Sequence, residues 1–201
     1  MALVKSILLV DWENLVFRYQ SMINNWRKPL QDVVHIPNVF VWHPKIASYY
    51  NVDIFRVIYY TSSIGDEKRI NELNELIWEN LFDSRYSGMR NYYWSCQLVP
   101  FVFKKEKQSQ KSRLVDIYIA VDTLKYSNIG NIECISILSW DGDFKKVYNE
   151  TMDFGKKVIV WAFSDWLDSS IKSIVDEFFF LDDYFFEKEE VLDDKIEEQI
   201  K

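Results

Sequence analysis

Ile7-Leu8-Leu9-Val10-Asp11-Trp12-Glu13-Asn14 is the stretch that decides how this chain is read. An uninterrupted apolar run stops at a carboxylate, and helix-like sequence follows at once. Such a run is a strand buried on both faces, as in a parallel sheet. An aspartate where the strand stops stands at the carboxyl rim of the sheet, where open α/β folds bind ligands. The design recurs in Ile135-Ser136-Ile137-Leu138-Ser139-Trp140-Asp141-Gly142-Asp143-Phe144. Between the two lies Val115-Asp116-Ile117-Tyr118-Ile119-Ala120-Val121-Asp122. Carboxylates gathered at one rim repel one another unless a divalent cation sits among them.

Working outward, apolar runs alternate with amphipathic stretches, the signature of repeated β-α units. Strands are expected over residues 5–11, 54–61, 92–103, 133–140 and 157–163, with a sixth, edge strand at 178–181. Helices are expected over 14–25, 66–82, 114–126 and 144–153, with a short one near 167–173. Residues 104–113 read as a polar, basic loop. Residues 26–44 hold three of the four prolines and read as an irregular insertion. No repeat or linker divides the chain. The expected organisation is one α/β domain over 1–183 and an acidic helical tail over 184–201. Its sheet is mostly parallel, of five or six strands, with helices on both faces. Crossover helices put all strand carboxyl ends on one rim, so Asp11 and Asp141 share it, and Asp116 reaches it from a helix.

Composition narrows the function classes. The 201 residues are 48% hydrophobic and 17% aromatic, which supports a real core and excludes a disordered chain. No apolar run is long enough to span a bilayer, so no membrane role is expected. The first residues lack the pattern of a signal peptide, and Cys96 and Cys134 read as reduced core thiols. Both point to a cytoplasmic protein. His35 and His43 are the only imidazoles, which argues against a histidine zinc site and against nucleophile–histidine chemistry. The net charge is −7, but residues 176–201 carry eleven acids and three bases. The rest of the chain is therefore nearly neutral, with room for a basic surface around a site.

Each carboxylate also has a plain structural role open to it. Asp11 can cap the helix that follows, and Asn14 can hold its carboxylate or a water. Glu13 alternates away from both and is expected to face solvent. Asp116 can stabilise a helix start. Asp122 lies six residues later on that helix, about 120° around it and about 9 Å along it, too far to share one ion easily. Asp141 is expected as a ligand, and Asp143 as part ligand and part cap of the helix from Phe144.

Together these segments resemble the NYN family, a branch of the PIN-like nucleases with a Rossmann-like fold. Asp11 and Asn14 match its first strand, which ends Asp-x-x-Asn. Lys111 or Arg113 loosely, and Asp116 and Asp122 closely, match its Lys-x-x-x-Asp-x-x-x-x-x-Asp helix. Ser139, Asp141, Asp143 and Phe144 match its Ser-Gly-Asp-x-Asp-Phe box, followed by Gly155-Lys156-Lys157-Val158. Asp176-Glu177-Phe178 echoes its closing Asp-x-Phe. The likeness covers most of residues 5–182. Trp140 departs from it, standing where the family has glycine beside Asp141.

The resemblance implies Mg²⁺- or Mn²⁺-dependent cleavage of RNA, single-stranded or structured. Hard carboxylate oxygens suit these cations. Asp11, Asp116, Asp141 and Asp143 are the expected metal ligands, with Asn14 and Asp122 completing the catalytic set. Lys105, Lys111 and Arg113 are expected to follow the phosphate backbone, with Arg18 and Tyr60 nearby and Trp140 available to stack on a base. A non-catalytic nucleic-acid-binding or regulatory protein on the same fold is the alternative, with Trp140 blocking chemistry. A phosphatase-like hydrolase is weakened by the lack of an aspartyl-nucleophile box. The acidic tail reads first as a solvated terminal helix. Pairing with a second subunit, as in a homodimer, and mimicry of nucleic acid are its alternatives.

Overall fold

The computed structural model describes residues 4–43, 46, 52–87, 97–106, 113–164 and 169–188. Val4–Asp11 (β1) is buried on both faces, so its apolar residues run without alternation. Ile7, Leu8, Leu9 and Val10 are fully buried. Each stabilises the fold by about 1.5–3 kcal/mol relative to exposure. Trp12–Asn24 (α1) starts at once, two residues earlier than expected, with Asp11 as its N-cap.

Six parallel strands make the central sheet of the described residues. Val52–Ser63 (β4) flanks β1 on one side, and Gln97–Lys104 (β5) lies beyond it. Cys134–Leu138 (β6) flanks β1 on the other side. Lys157–Ala162 (β7) and Glu177–Phe180 (β8) continue to the far edge. The order β5-β4-β1-β6-β7-β8 means that the chain winds outward from β1, then returns and winds outward the other way. The direction reverses between β1 and β6. A crevice opens at such a point because the connections leaving the two strands go to opposite sides.

Helices cover both faces, as expected. On one face Leu8, Val10 and Val57 pack beneath α1. On the other Ile7, Leu9, Ile58, Ile135 and Ile137 pack beneath Arg113–Ser127 (α3) and Lys145–Asp153 (α4). Glu67–Ser87 (α2) links β4 to β5. Ser169–Lys172 (α5) and Asp182–Phe185 (α6) bracket β8. None of the described helices is long and apolar enough to cross a membrane. Residues 92–96 of the expected third strand, 107–112 of the basic loop and 189–201 of the tail lie outside the described residues.

Two expectations are corrected. Residues 26–44 are not irregular throughout: Val34–Ile36 (β2) and Phe40–Trp42 (β3) form an antiparallel hairpin. Asn38 turns it at φ 58°, a left-handed conformation that asparagine tolerates. Gln20 fixes that turn by accepting from the Asn38 N–H at 2.7 Å. The boundary at 183/184 also moves. Phe185 and Phe186 are buried, and the Leu30 N–H donates to the Phe185 carbonyl at 2.8 Å. The packed body therefore runs on through Phe186, because its aromatic rings close over Tyr19.

Candidate active site

Strand alternation decides which side chains reach the crevice. On β1, Ile7, Leu9 and then Asp11 point to the α3/α4 face. Val10 pairs in register with Leu138, so Ser139 stands opposite Asp11. Asp11 also pairs in register with Tyr60 of β4. A carboxylate, a hydroxyl and a phenol from three adjacent strands thus line one rim of one face.

Asp11 is 1% exposed. It accepts from the Asn14 N–H at 3.4 Å as N-cap, from the Asn14 side-chain amide, and from Ser139 Oγ at 3.0 Å. Asn14 Nδ2 also donates to Ser139 Oγ at 2.9 Å, tying α1 to the end of β6. These donors are all neutral. Burial, then the nearby negative charge of Asp116, push the Asp11 carboxyl up to about 7. The charge of Asp116, on the first turn of α3, thus reaches Asp11 at the end of β1.

The turn after β6 supplies the second part. Ser139 Oγ accepts from the Asp141 N–H at 3.2 Å, and Asp141 accepts from the Asp143 N–H at 2.9 Å. Asp141 is thereby the cap of a short 3-10 turn, Gly142–Phe144, that leads into α4. The cap expected of Asp143 is thus made by Asp141. Phe144 occupies the α4 N-cap without a side-chain bond, and Asp143 faces solvent. Trp140 is partly buried, with the Arg18 guanidinium 5.0 Å from its ring centre.

On α3, Asp122 lies on the other flank from Asp116. It accepts from the Tyr60 hydroxyl at 2.6 Å and has Lys125 at 3.9 Å. Burial, then this hydrogen bond, raise the Tyr60 phenol, which stays a neutral donor. Arg113 is exposed at the first residue of α3. Lys105 is not on a solvated loop. It is buried, with its ammonium 3.4 Å from Glu13. Glu13 is buried too, where solvent was expected, and accepts from Ser62 Oγ at 2.6 Å. The early start of α1 turns Glu13 inward to these partners. Lys111 lies outside the described residues.

The sequence reading missed Ser139 as a site residue and gave Tyr148 no role. Ser139 had a signal, its place one residue beyond a strand that ends beside Asp11. Tyr148 had none beyond its helical spacing from Phe144. It is fully buried on α4, and its hydroxyl has no hydrogen-bond partner among the described residues.

The rim suits a hard divalent cation in its donors, which are carboxylate and hydroxyl oxygens. Among the described residues, no three acidic, histidine or cysteine side chains converge tightly enough to hold an ion by themselves. The expected ligand set of four therefore does not close as one cage. Magnesium binds through one or two carboxylates, with waters and substrate phosphates completing its shell. Asp11 with Asp116 or Asp141 could supply such a pair.

A parallel sheet whose acidic crevice opens at the reversal of strand order defines the class: an α/β domain of the PIN-like fold. The sequence pattern of the NYN domain matches residues 5–182, and the chain belongs to that family. Its members are generally nucleases that typically use divalent metals, so the protein's function lies with nucleic acids. The fold is shared with the crystal structure of a Vibrio parahaemolyticus protein of unknown function. The TM-score is 0.59 at 16% identity, over 92% of this chain and 96% of that one. A search of curated proteins gives no significant match.

Proposed function

We propose that the protein is a metal-dependent endoribonuclease that hydrolyses phosphodiester bonds of single-stranded RNA. The observation that carries the reading is Asp11, a buried carboxylate held only by neutral donors beside the charge of Asp116 and pushed up to about 7. Such a group is stabilised by a bound cation, and its place at the switch point is where substrates enter this kind of sheet. Asp11, Asp116 and Asp141 would hold Mg²⁺ or Mn²⁺, with Asp143 on the solvent side. When bound, the cation would make a water a better nucleophile and offset charge growing on the phosphate.

The other residues set the geometry. Asn14 and Ser139 fix the Asp11 carboxylate from two elements, so its free lone pairs keep one direction. Tyr60 and Asp122 brace α3 against β4, which keeps Asp116 at the rim. Arg18 and Trp140 form a stacked pair beside Asp141, suited to a base and its phosphate. Arg113 and Lys111 would follow the backbone, whereas Lys105 is committed to Glu13. The free, buried thiol of Cys134 fits a reducing cytoplasm.

Binding without cleavage is the second reading, favoured by the bulk of Trp140 next to Asp141. Incubating the purified chain with labelled single-stranded RNA, single-stranded DNA and duplex DNA, with and without Mn²⁺, decides between them. Metal-dependent cuts in RNA that vanish in Asp141→Asn support the nuclease. Retarded but intact RNA supports the binder. Equal cleavage by the variant points to a contaminant and overturns the assignment.

A further inference from the structure

Tyr148 is a residue near the acidic rim whose chemistry the reading above leaves unused. It sits on the first turn of α4, directly after the Asp141–Phe144 turn. Helical side chains lean toward the N-terminus of their helix, so its phenol leans back toward Asp141. Its ring packs in the cluster that contains Leu9 and Ile137. Those residues stand on the same sheet face as Asp11 and Ser139, one step below the rim. Ring and direction together aim the hydroxyl at the floor of the crevice.

That hydroxyl is fully buried and has no hydrogen-bond partner among the described residues. A polar group left so destabilises the fold. Phenylalanine would fill the same space without the cost, so the hydroxyl calls for a partner beyond the described residues, such as a water. The charges of Asp11 and Asp141, after burial, raise the phenol. It is therefore a neutral donor with both carboxylates in electrostatic reach.

We propose that Tyr148 is a positioning residue of the acidic centre, whose hydroxyl donates to a water shared by Asp11 and Asp141 and so fixes the oxygen shell that a divalent cation needs. The proposal rests on the metal-dependent reading above. It differs from the role of Asn14 and Ser139, which hold Asp11 alone. Tyr148 spans the two halves of the crevice, one from β1 and one from the turn after β6.

Tyr148→Phe tests it in the full chain, with thermal melts over a Mn²⁺ titration as the main readout. The metal-free melting temperature should match or exceed that of the parent, because the ring remains and an unpaired hydroxyl is gone. The Mn²⁺ concentration for half-maximal stabilisation should rise about tenfold, the usual effect of losing a residue behind metal ligands. RNA cleavage at limiting Mn²⁺ should fall by a similar factor and recover at saturating Mn²⁺, with KM for RNA unchanged. A lower metal-free melting temperature with an unchanged Mn²⁺ requirement would make Tyr148 a packing residue and overturn the proposal. A parent that neither responds to Mn²⁺ or Mg²⁺ nor cuts RNA removes the metal reading, and this proposal with it. A responsive parent with an identically responsive variant removes the proposal alone.

Discussion

Two buried carboxylates lie two residues apart at the carboxyl rim of the sheet, and they have opposite surroundings. Glu13 accepts from Ser62 and faces the Lys105 ammonium at 3.4 Å, in a pocket closed to water. Asp11 accepts from Asn14 and Ser139 and faces the negative charge of Asp116. The first is neutralised within the fold. The second is held by neutral donors and keeps its proton to about 7. Burial costs both, but only Glu13 has its compensation built in. A buried acid paired with a lysine is an element of architecture, and one set against another acid is where the proposed cation would bind.

The largest expected effect is on chemistry. Asp11→Asn and Asp141→Asn should each lower metal-dependent RNA cleavage on the order of 100- to 1,000-fold with the fold intact by circular dichroism. Glu13→Gln should leave the requirement for Mn²⁺ unchanged. If Glu13→Gln abolished cleavage while Asp11→Asn did not, the contrast between the two acids would be reversed.

Next comes stability. Lys105→Met strands the Glu13 charge in the interior and should cost about 3 kcal/mol, read as a lower urea midpoint. Adding Glu13→Gln should restore most of it, since a neutral pair of similar size needs no compensation. No recovery in the double variant would mean that Lys105 acts by packing on Trp12, 5.7 Å from its ammonium, instead of by charge.

The pH dependence of the metal-free protein sharpens the same contrast. Folded Asp11 keeps its proton to about 7, whereas the unfolded chain releases it near 3.8. The folded state binds more protons across that window, so this contribution to stability is full below about pH 4 and is lost as pH rises through about 7. Melting temperatures should fall over that range, Asp11→Asn should flatten the slope, and millimolar Mn²⁺ should restore stability at its upper end. A flat profile in the metal-free parent would count against an uncompensated Asp11.

The smallest effect expected is at the Arg18–Trp140 stack. Trp140→Ala should weaken single-stranded RNA binding about tenfold, the worth of one stacked base, measured by fluorescence anisotropy. Tighter binding or faster cleavage in that variant would show that the indole obstructs the crevice.

Much of this was legible from the sequence because burial on both faces leaves a plain signal. The apolar runs ending at Asp11 and Leu138 gave the strands, the shared rim and the acid positions. The hairpin at 34–42 was hidden by Pro37 and by Pro29 and Pro44 on either side of it, and Tyr59 helps to hold it, its hydroxyl bonding the Val41 backbone. Glu13 and Lys105 were misread for one reason. Each is buried because of a partner 92 residues away, and local periodicity carries no trace of such a partner. Asp122 shows the converse. Helical geometry alone separated it from Asp116, and its bond to Tyr60 gives it an occupation on the other flank.

The pairing of β1 with β6 also sets when the crevice comes into being during synthesis. Asp11 and Asn14 leave the ribosome early, but Ser139 follows 128 residues after Asp11, with Asp141 just behind it. Until β6 docks beside β1, the nascent chain holds only separated fragments of an acidic rim. Pairing across so long a separation is among the slower steps of folding. A chain that stalls or is cut before that docking would have a first strand and a first aspartate, yet not the joined rim on which the proposed activity depends.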